Sequence, residues 1–190
     1  MGFTCGLVGL PNAGKSTLIS AVSAAKPKIA DYPFTTLHPH LGVVKSGFKG
    51  GFVIADIPGL IAGASDGAGL GHQFLKHLKR TKILVHVIDV GTEYPNTESI
   101  TRGAHEICQE LKKYDESLFE KPRWIALNKI DLIPEEDRAA YFEKISVDLN
   151  KGTAHSEHIY PISSISSDGI TALINGIMEY MSTLEEIEKN

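Results

Sequence analysis

Short apolar runs bounded by turn residues recur along the chain, and helical patterns lie between them. The runs predict six strands, at residues 3–8, 41–44, 52–56, 83–89, 123–128 and 159–162. Helices are predicted at about residues 15–25, 70–81, 99–114, 135–149 and 169–181. This alternation is typical of an α/β fold built around a parallel sheet.

One pair of strands departs from the parallel pattern. Residues 41–44 and 52–55 are joined by a short segment that contains Gly47, Gly50 and Gly51. Glycine supplies the positive φ angles that hairpin turns require, so an antiparallel hairpin is predicted here. The run at residues 83–88 is apolar almost throughout, which indicates a sheet covered by helices on both faces. The sequence therefore predicts a three-layer α/β fold with a six-stranded, mostly parallel sheet.

Length and composition favour one ordinary globular domain. The chain has 190 residues, of which 42% are hydrophobic and 22% charged, and its net charge of −4 argues against nucleic-acid binding by bulk charge. We expect the domain over residues 1–182, followed by an acidic helix extension or, preferably, a solvated tail at 183–190. No apolar stretch approaches the length of about 18 residues that a membrane helix needs.

The two cysteines, Cys5 and Cys108, are too few for a disulfide framework. Both lie among apolar residues or helix formers, so they are expected to be small buried side chains in a reducing compartment. A cytoplasmic location is therefore the default expectation.

A glycine-rich segment follows the first predicted strand and leads directly into the first helix. It matches the phosphate-binding pattern GxxxxGK[ST] with Gly9, Leu10, Pro11, Asn12, Ala13, Gly14, Lys15 and Ser16. Its backbone N–H groups and the helix N-terminus can surround a phosphate, and Lys15 adds a positive charge beside the β and γ phosphates. Ser16 is expected to bind Mg²⁺. A chance glycine turn is the alternative, which the flanking strand and helix disfavour. With this segment, the predicted fold is that of a P-loop NTPase.

The third predicted strand ends in a carboxylate at the sheet edge where ligands of open α/β sheets bind. Asp56 is expected to reach Mg²⁺ through a water molecule, and Ile57, Pro58 and Gly59 follow it. The N–H of Gly59 can approach a γ phosphate because no side chain intervenes. Taken alone, this segment is equally typical of a strand-ending turn.

Two segments are interpreted as switches that respond to the γ phosphate. The first is the glycine-rich run over residues 59–71, which is too rich in glycine for a rigid element. The second lies between the first helix and the hairpin, where either Thr35 or Thr36 can reach a Mg²⁺ ion opposite Ser16. Taken alone, the second segment is an ordinary polar loop.

The fifth predicted strand leads into a motif that suits guanine, formed by Asn128, Lys129, Ile130 and Asp131. Asp131 can accept hydrogen bonds from the ring N–H and the exocyclic amine of guanine, and Asn128 can bond to the other edge. The stem of Lys129 can cover the ring face. Adenine lacks these two donors, so an ATPase conflicts with Asp131. After the sixth strand, backbone N–H groups of Ser163, Ser164 and Ile165 are placed to meet the guanine carbonyl.

Together these motifs resemble the central domain of the Obg family of bacterial GTPases. The resemblance rests on the segment from Gly9 to Ser16, on Tyr32-Pro-Phe-Thr-Thr36 and on the run from Asp56 to Gly71. It implies Mg²⁺ ligation by Ser16 and Thr36, and further nucleotide contacts from Phe34, Thr35, Leu37 and His38. It also implies a GTPase that binds the large ribosomal subunit and its RNA late in assembly, with a link to stress.

The chain differs from the Obg pattern in a few places. Ser164 stands where alanine is commoner, and His40 stands where asparagine is common. The flanking domains of Obg proteins are not in this sequence, so we expect a domain taken from a longer protein. We expect it to be a monomer.

The catalytic groups expected from these motifs are Lys15, Thr36 and Gly59. Leu60 stands where Ras-like enzymes have a glutamine that orients the attacking water, so slow turnover is expected. Asn12 resembles the asparagine that coordinates K⁺ in some related GTPases, although a turn asparagine is an equal alternative. Two functions therefore remain open: a ribosome-linked GTP hydrolase switch, or a nucleotide-dependent module that docks to ribosome or RNA.

Overall fold

The fold was obtained as a computed structural model, which describes residues 5–29, 39–45, 50–57, 79–154 and 156–190. The strands are β1 (Cys5–Val8), β2 (Lys28–Ile29), β3 (His40–Lys45), β4 (Gly51–Asp56), β5 (Ile83–Asp89), β6 (Arg123–Asn128) and β7 (Ile159–Pro161). The helices are α1 (Lys15–Val22), α2 (Thr97–Tyr114), α3 (Glu116–Phe119), α4 (Glu135–Leu149) and α5 (Ile170–Glu188), with a 3-10 helix at Ile130–Leu132.

The strands form one sheet in the order β2-β3-β4-β1-β5-β6-β7. β1 pairs in parallel with β4 on one side and β5 on the other, and β6 and β7 continue the parallel part. β3 pairs antiparallel with both β2 and β4, which confirms the predicted hairpin. The chain runs from β1 to the strands on one side of it, β2 to β4, and then crosses to β5 on its other side. The end of β1 is therefore the topological switch point where such sheets bind ligands.

Alternate side chains of β5 enter two different cores. Val85 and Val87 pack in a cluster with residues of α1 and α5. Leu84 and Ile88 point to the opposite face, where α2 and α4 cover the sheet. A strand that is buried on both faces has no polar side to alternate with, which explains its continuous apolar sequence. The predicted three-layer α/β fold is therefore confirmed.

The prediction of six strands is wrong by one strand. β2 has only two residues, Lys28 and Ile29, and both are exposed at the edge of the sheet. Such a short exposed strand carries no run of apolar residues that a pattern could detect. The first helix also ends three residues before the predicted boundary, at Val22, and the predicted helix at 70–81 lies, as far as residue 78, outside the described residues.

The preferred prediction of a solvated tail after residue 182 is wrong for most of that segment. α5 continues to Glu188, and its last turn is tethered because Lys82 Nζ lies 2.6 Å from Glu188 Oε1. The extension is exposed, so it has no buried face whose spacing would have marked it as helix. In the part of the chain that the structure describes, no helix has the length and apolarity to cross a membrane.

One polar side chain of β5 is buried in the face that α2 covers. His86 is 2% exposed, and its Nδ1 lies 3.9 Å from Cys108 Sγ on α2. Burial, together with the nearby positive charges of Arg123 and Lys15, lowers the pKa of His86 to about 3. Both cysteines are buried free thiols, as predicted. The core is therefore built around a neutral imidazole.

We predict that acid destabilises the fold through His86. An unfolded histidine binds a proton below about pH 6.5, whereas the folded His86 does so only near pH 3. The unfolded chain therefore binds the additional proton in this window, and the free energy of unfolding falls by about 1.4 kcal/mol per pH unit as the pH drops. Urea unfolding of the unmodified chain and of His86→Gln between pH 7 and pH 4 measures this slope. Parallel pH profiles for the two proteins would contradict the prediction.

Candidate functional site

The loop between β1 and α1 is a tight turn that opens onto a helix N-terminus. Asn12 and Gly14 have φ angles of 66° and 101°, and the N–H of Ala13 donates to the carbonyl of Leu10 at 3.2 Å. Gly14, at the N-cap position of α1, has no side chain to cap the helix, and the first turn of α1 holds no acidic residue. The uncapped N–H groups and the positive end of the helix dipole therefore favour an anion at this position.

Lys15 brings a positive charge to the same loop. Its Nζ donates to the carbonyls of Gly9 at 2.9 Å and Leu10 at 3.1 Å. Burial lowers the pKa of Lys15, and the nearby carboxylate of Asp56 partly offsets this effect. A phosphate oxygen is a stronger partner for an ammonium group than a neutral carbonyl, because a charge-assisted hydrogen bond is about twice as strong. The geometry therefore suits a phosphate that draws Lys15 away from the loop carbonyls.

Asp56 is the last residue of β4, which pairs with β1 beside the phosphate loop (residues 9–16). Its Oδ1 accepts a hydrogen bond from the backbone N–H of His40 at 2.7 Å, and its Oδ2 lies 3.4 Å from His40 Nδ1. In the sequence, His40 stands out only because asparagine is common at this position in the Obg pattern. The structure shows that His40 contacts Asp56, which is predicted to bind Mg²⁺ through water. The carboxylate is therefore held in place at the edge of the sheet.

The phosphate loop, the carboxylate of Asp56 and the guanine-type motif at residues 128–131, called the base motif below, line one cleft of about 560 Å³. The side chains and backbone around it belong to Asn12, Gly14, Lys15, Ser16, Thr17, Asp56, Lys129 and Ile165. Ser16 and Asp56 contribute a hydroxyl and a carboxylate to this cleft, and hard oxygen ligands of this kind fit Mg²⁺. The structure therefore brings together residues from four separate parts of the sequence, and Thr17 joins them without having been predicted.

The base motif is connected directly to the phosphate loop. Asn128 Nδ2 donates to the carbonyl of Ala13 at 2.9 Å, and Asn128 Oδ1 accepts from both the N–H and the hydroxyl of Ser164 at 3.2 Å. Ser163 Oγ donates to Asp131 Oδ1 at 2.8 Å. The serine hydroxyl at position 164 therefore adds a second hydrogen bond to the Asn128 oxygen, which an alanine could not make.

A carboxylate that sequence analysis missed lies at the end of β5. Asp89 Oδ2 is 2.9 Å from Lys129 Nζ, and Lys129 Nζ also donates to the carbonyl of Asn12 at 2.8 Å. Burial raises the pKa of Asp89, but hydrogen bonds from Thr92, Lys129 and Gly91 outweigh it, so the pKa lies below its ordinary value. Its position was a usable signal, because it ends a strand at the same edge as Asp56 and Asn128.

Several predicted site residues lie elsewhere or outside the described residues. Ile57 and Ile130 are buried in the core, with 2% and 7% exposure, so only their backbones are near the site. Leu10 and Pro11 line a second cavity of about 280 Å³ between the loop, β5 and α2. The residues outside the described ranges are Phe34, Thr35, Thr36, Leu37, His38, Pro58 and Gly59.

Comparison with protein families gives a match over most of the site. A family model described as "50S ribosome-binding GTPase" matches residues 4–129, which include the phosphate loop, Asp56, Asp89 and the first two residues of the base motif.

Solved structures of similar fold include proteins bound to guanine nucleotides. A mutant NFeoB from S. thermophilus bound to GDP has 20% sequence identity and a TM-score of 0.63, and the match covers 93% of this chain and 60% of that one. An Era variant from Aquifex aeolicus bound to GDP and AlF4⁻ has 25% identity and a TM-score of 0.62, with 95% and 57% coverage. Era in complex with MgGDPNP and a segment of 16S ribosomal RNA has 26% identity and a TM-score of 0.62, with 94% and 56% coverage. The chain thus spans only 56% to 60% of these three structures.

We predict that a methyl group at Gly14 separates the phosphate loop from the base motif. Gly14 has positive φ, and a Cβ there would overlap Asn128 Nδ2, so Gly14→Ala should break the bond to Ala13. Gly50 also has positive φ, but a Cβ there meets none of the described residues within 4 Å, so Gly50→Ala is the matched control for backbone strain. We expect Gly14→Ala to lose at least about 1 kcal/mol more unfolding free energy than Gly50→Ala. We also expect it to shift the Asn128 side-chain amide resonance. Equal losses with an unchanged resonance would contradict this.

Proposed function

Because the chain belongs to the family of 50S ribosome-binding GTPases, we propose that it binds GTP and GDP with Mg²⁺ and hydrolyses GTP slowly as a molecular switch. The observation that carries the proposal is the joining of a phosphate loop to a guanine-type base motif. Asn128 and Lys129 each donate to a carbonyl of the loop, at 2.9 Å and 2.8 Å. A nucleotide bound across this junction meets its base contacts and its phosphate contacts on one rigid unit.

The base preference follows from Asp131. Its carboxylate is fixed by the hydroxyl of Ser163, whose own oxygen accepts from the N–H of Ser166 at 3.1 Å. A carboxylate held in this way accepts two hydrogen bonds from guanine, whereas adenine has no matching pair of donors. The exposed side chain of Ile165 and the stem of Lys129 line the same cleft and supply apolar cover for the base.

The phosphate groups are assigned to the loop. Backbone N–H groups at the start of α1 bind the phosphate oxygens, and Lys15 balances the charge that spreads over the β and γ oxygens. Mg²⁺, when bound, neutralises part of that charge, and the residues that would hold it are Ser16, Asp56 through water and Thr36. Gly59 is assigned the γ-phosphate contact. Neither Thr36 nor Gly59 lies within the described residues.

We predict that guanine selectivity depends on Asp131. Titration with labelled GDP, GTP and ATP should show binding of both guanine nucleotides and far weaker binding of ATP. Asp131→Asn should reduce guanine affinity at least about tenfold, because a charged hydrogen-bond acceptor is lost, and should improve xanthine binding. Asp137→Asn is the matched control, because the carboxylate of Asp137 on α4 accepts a hydrogen bond from the Tyr94 hydroxyl at 2.7 Å and does not line the cleft. Equal affinity for ATP and GTP would refute the base assignment.

A potassium ion is part of the proposed hydrolysis. Asn12 is exposed in the cleft next to Lys15, and its amide oxygen can ligate a monovalent cation beside the phosphates. GTP hydrolysis needs positive charge to balance the charge that spreads over the β and γ phosphate oxygens, and a K⁺ ion beside Lys15 supplies part of it. We predict faster GTP hydrolysis in KCl than in NaCl at equal ionic strength, and loss of this difference in Asn12→Ala. Equal rates in the two salts would remove the potassium ion from the proposal.

The biological role that we propose is more specific than membership of the family alone indicates. The motifs quoted above resemble Obg proteins, and the family description names the 50S ribosome. We propose that the chain acts as a cytoplasmic monomer on the large ribosomal subunit and its RNA. Era, a protein of similar fold, is described in complex with a segment of 16S ribosomal RNA, which supports RNA as a class of partner.

A second candidate function is a docking module in which hydrolysis is incidental. Leu60 favours it, because the residue provides no group for activating water. Measuring GTP turnover with and without large ribosomal subunits separates the two candidates. Stimulated turnover supports the hydrolase switch, whereas nucleotide-dependent binding without stimulation supports the docking module.

A further inference from the structure

The side chain of Lys129 contacts two segments that are far apart in the sequence. Its Nζ donates to the carbonyl of Asn12 in the phosphate loop at 2.8 Å, and lies 2.9 Å from Asp89 Oδ2 at the end of β5. Lys129 also has a φ of 69°, so its backbone turns sharply as it leaves β6. The ammonium group is therefore drawn inward to the sheet edge, and the apolar stem must lie along the cleft that it lines.

Asp89 is held rigidly enough to act as an anchor. Its Oδ1 accepts from the N–H groups of Gly91 at 3.0 Å and Thr92 at 2.9 Å, and its Oδ2 accepts from the hydroxyl of Thr92 at 2.6 Å. The side chains of Asp89 and Lys129 are only 21% and 26% exposed. An exposed ion pair loses most of its attraction to solvent and to side-chain entropy, and both losses are smaller when the partners are fixed and half-buried.

The two carboxylate oxygens of Asp89 have different hydrogen-bond partners. Oδ1 accepts from the two backbone N–H groups of the turn that leads toward α2, whereas Oδ2 faces Lys129 and also accepts from the Thr92 hydroxyl, which can instead accept from an amide N–H. An asparagine at this position keeps an oxygen for the turn and removes the negative charge from Lys129. The structural task and the task toward Lys129 can therefore be separated by one substitution.

We propose that Asp89 is a positioning residue for guanine-nucleotide binding, which it serves by holding Lys129 across the base and against the phosphate loop. This inference rests on the proposed function. Asp89 itself does not contact the nucleotide. Without its charge, the ammonium of Lys129 keeps one partner among the described residues, the neutral carbonyl of Asn12, and the stem can swing out toward solvent. The cover over the base and the anchor on the carbonyl of Asn12 are then lost together.

The test is the rate of GDP release, measured by chasing a fluorescent GDP analogue from the Mg²⁺-loaded protein. Asp89→Asn should release it about five- to tenfold faster, within the usual coupling range for contacting groups, while its melting temperature stays close to that of the unmodified chain. Asp148→Asn is the matched control, because Asp148 near the end of α4 pairs at 3.1 Å with Lys151, which follows the helix and is 70% exposed. The control should release GDP at the unmodified rate.

A double-mutant cycle shows whether Asp89 acts through Lys129. Lys129→Met keeps the apolar stem and removes the ammonium, so Asp89→Asn should have no further effect on release in that background. If Asp89→Asn does not fold, Asp89→Glu replaces it in the cycle, because the longer side chain displaces the carboxylate from Lys129. A smaller acceleration that again vanishes with Lys129→Met is then expected.

The outcomes separate this inference from the proposed function. Release from Asp89→Asn within twofold of the unmodified rate overturns the inference, and so does an effect that adds fully to that of Lys129→Met. In both cases guanine-nucleotide binding by the unmodified chain still supports the proposed function. If the unmodified chain binds no guanine nucleotide, the proposed function is wrong and the inference falls with it.

Discussion

The side-chain amide of Asn128 is the contact on which the arrangement of the site depends. It is 2% exposed, and it links the carbonyl of Ala13 in the phosphate loop to the N–H and hydroxyl of Ser164 after β7. Leaving either end of a buried amide without a partner costs about 1–3 kcal/mol, so the three loops are stable mainly in this mutual position. Gly14 has to be glycine here, because a Cβ would collide with the same amide.

Charges at the edge of the sheet are arranged as two pairs around this amide. The ammonium of Lys15 lies near Asp56 on the phosphate side, and the ammonium of Lys129 lies beside Asp89 on the base side. The two ammonium groups have different freedom. Lys15 is held at Nζ by two neutral carbonyls and can exchange them for an anion, whereas Lys129 is fixed by a carboxylate. Lys15 can therefore change partners when a phosphate binds, whereas Lys129 keeps its position.

The sequence predicts the layers of the fold and the composition of the cleft because both depend on local patterns. The apolar run of β5 and the GxxxxGK[ST] and NKxD motifs carry their information within a few residues. The missed features depend on contacts between distant residues. Asp89 pairs with Lys129 forty residues later, and His40 contacts Asp56 across two strands. β2 was missed for another reason, because two exposed edge residues form no pattern at all.

The phosphate loop and the base motif are expected to respond to a nucleotide as one unit, and amide hydrogen exchange tests this most directly. Addition of Mg²⁺ and GDP should slow exchange together in three segments: residues 9–16, residues 128–131 and residues 163–165. Inorganic pyrophosphate, which has no base, should also slow exchange in the base segments to a smaller extent, because Asn128 transmits the ordering of the loop. Protection by GDP confined to residues 9–16, with no change in the two base segments, would contradict the account.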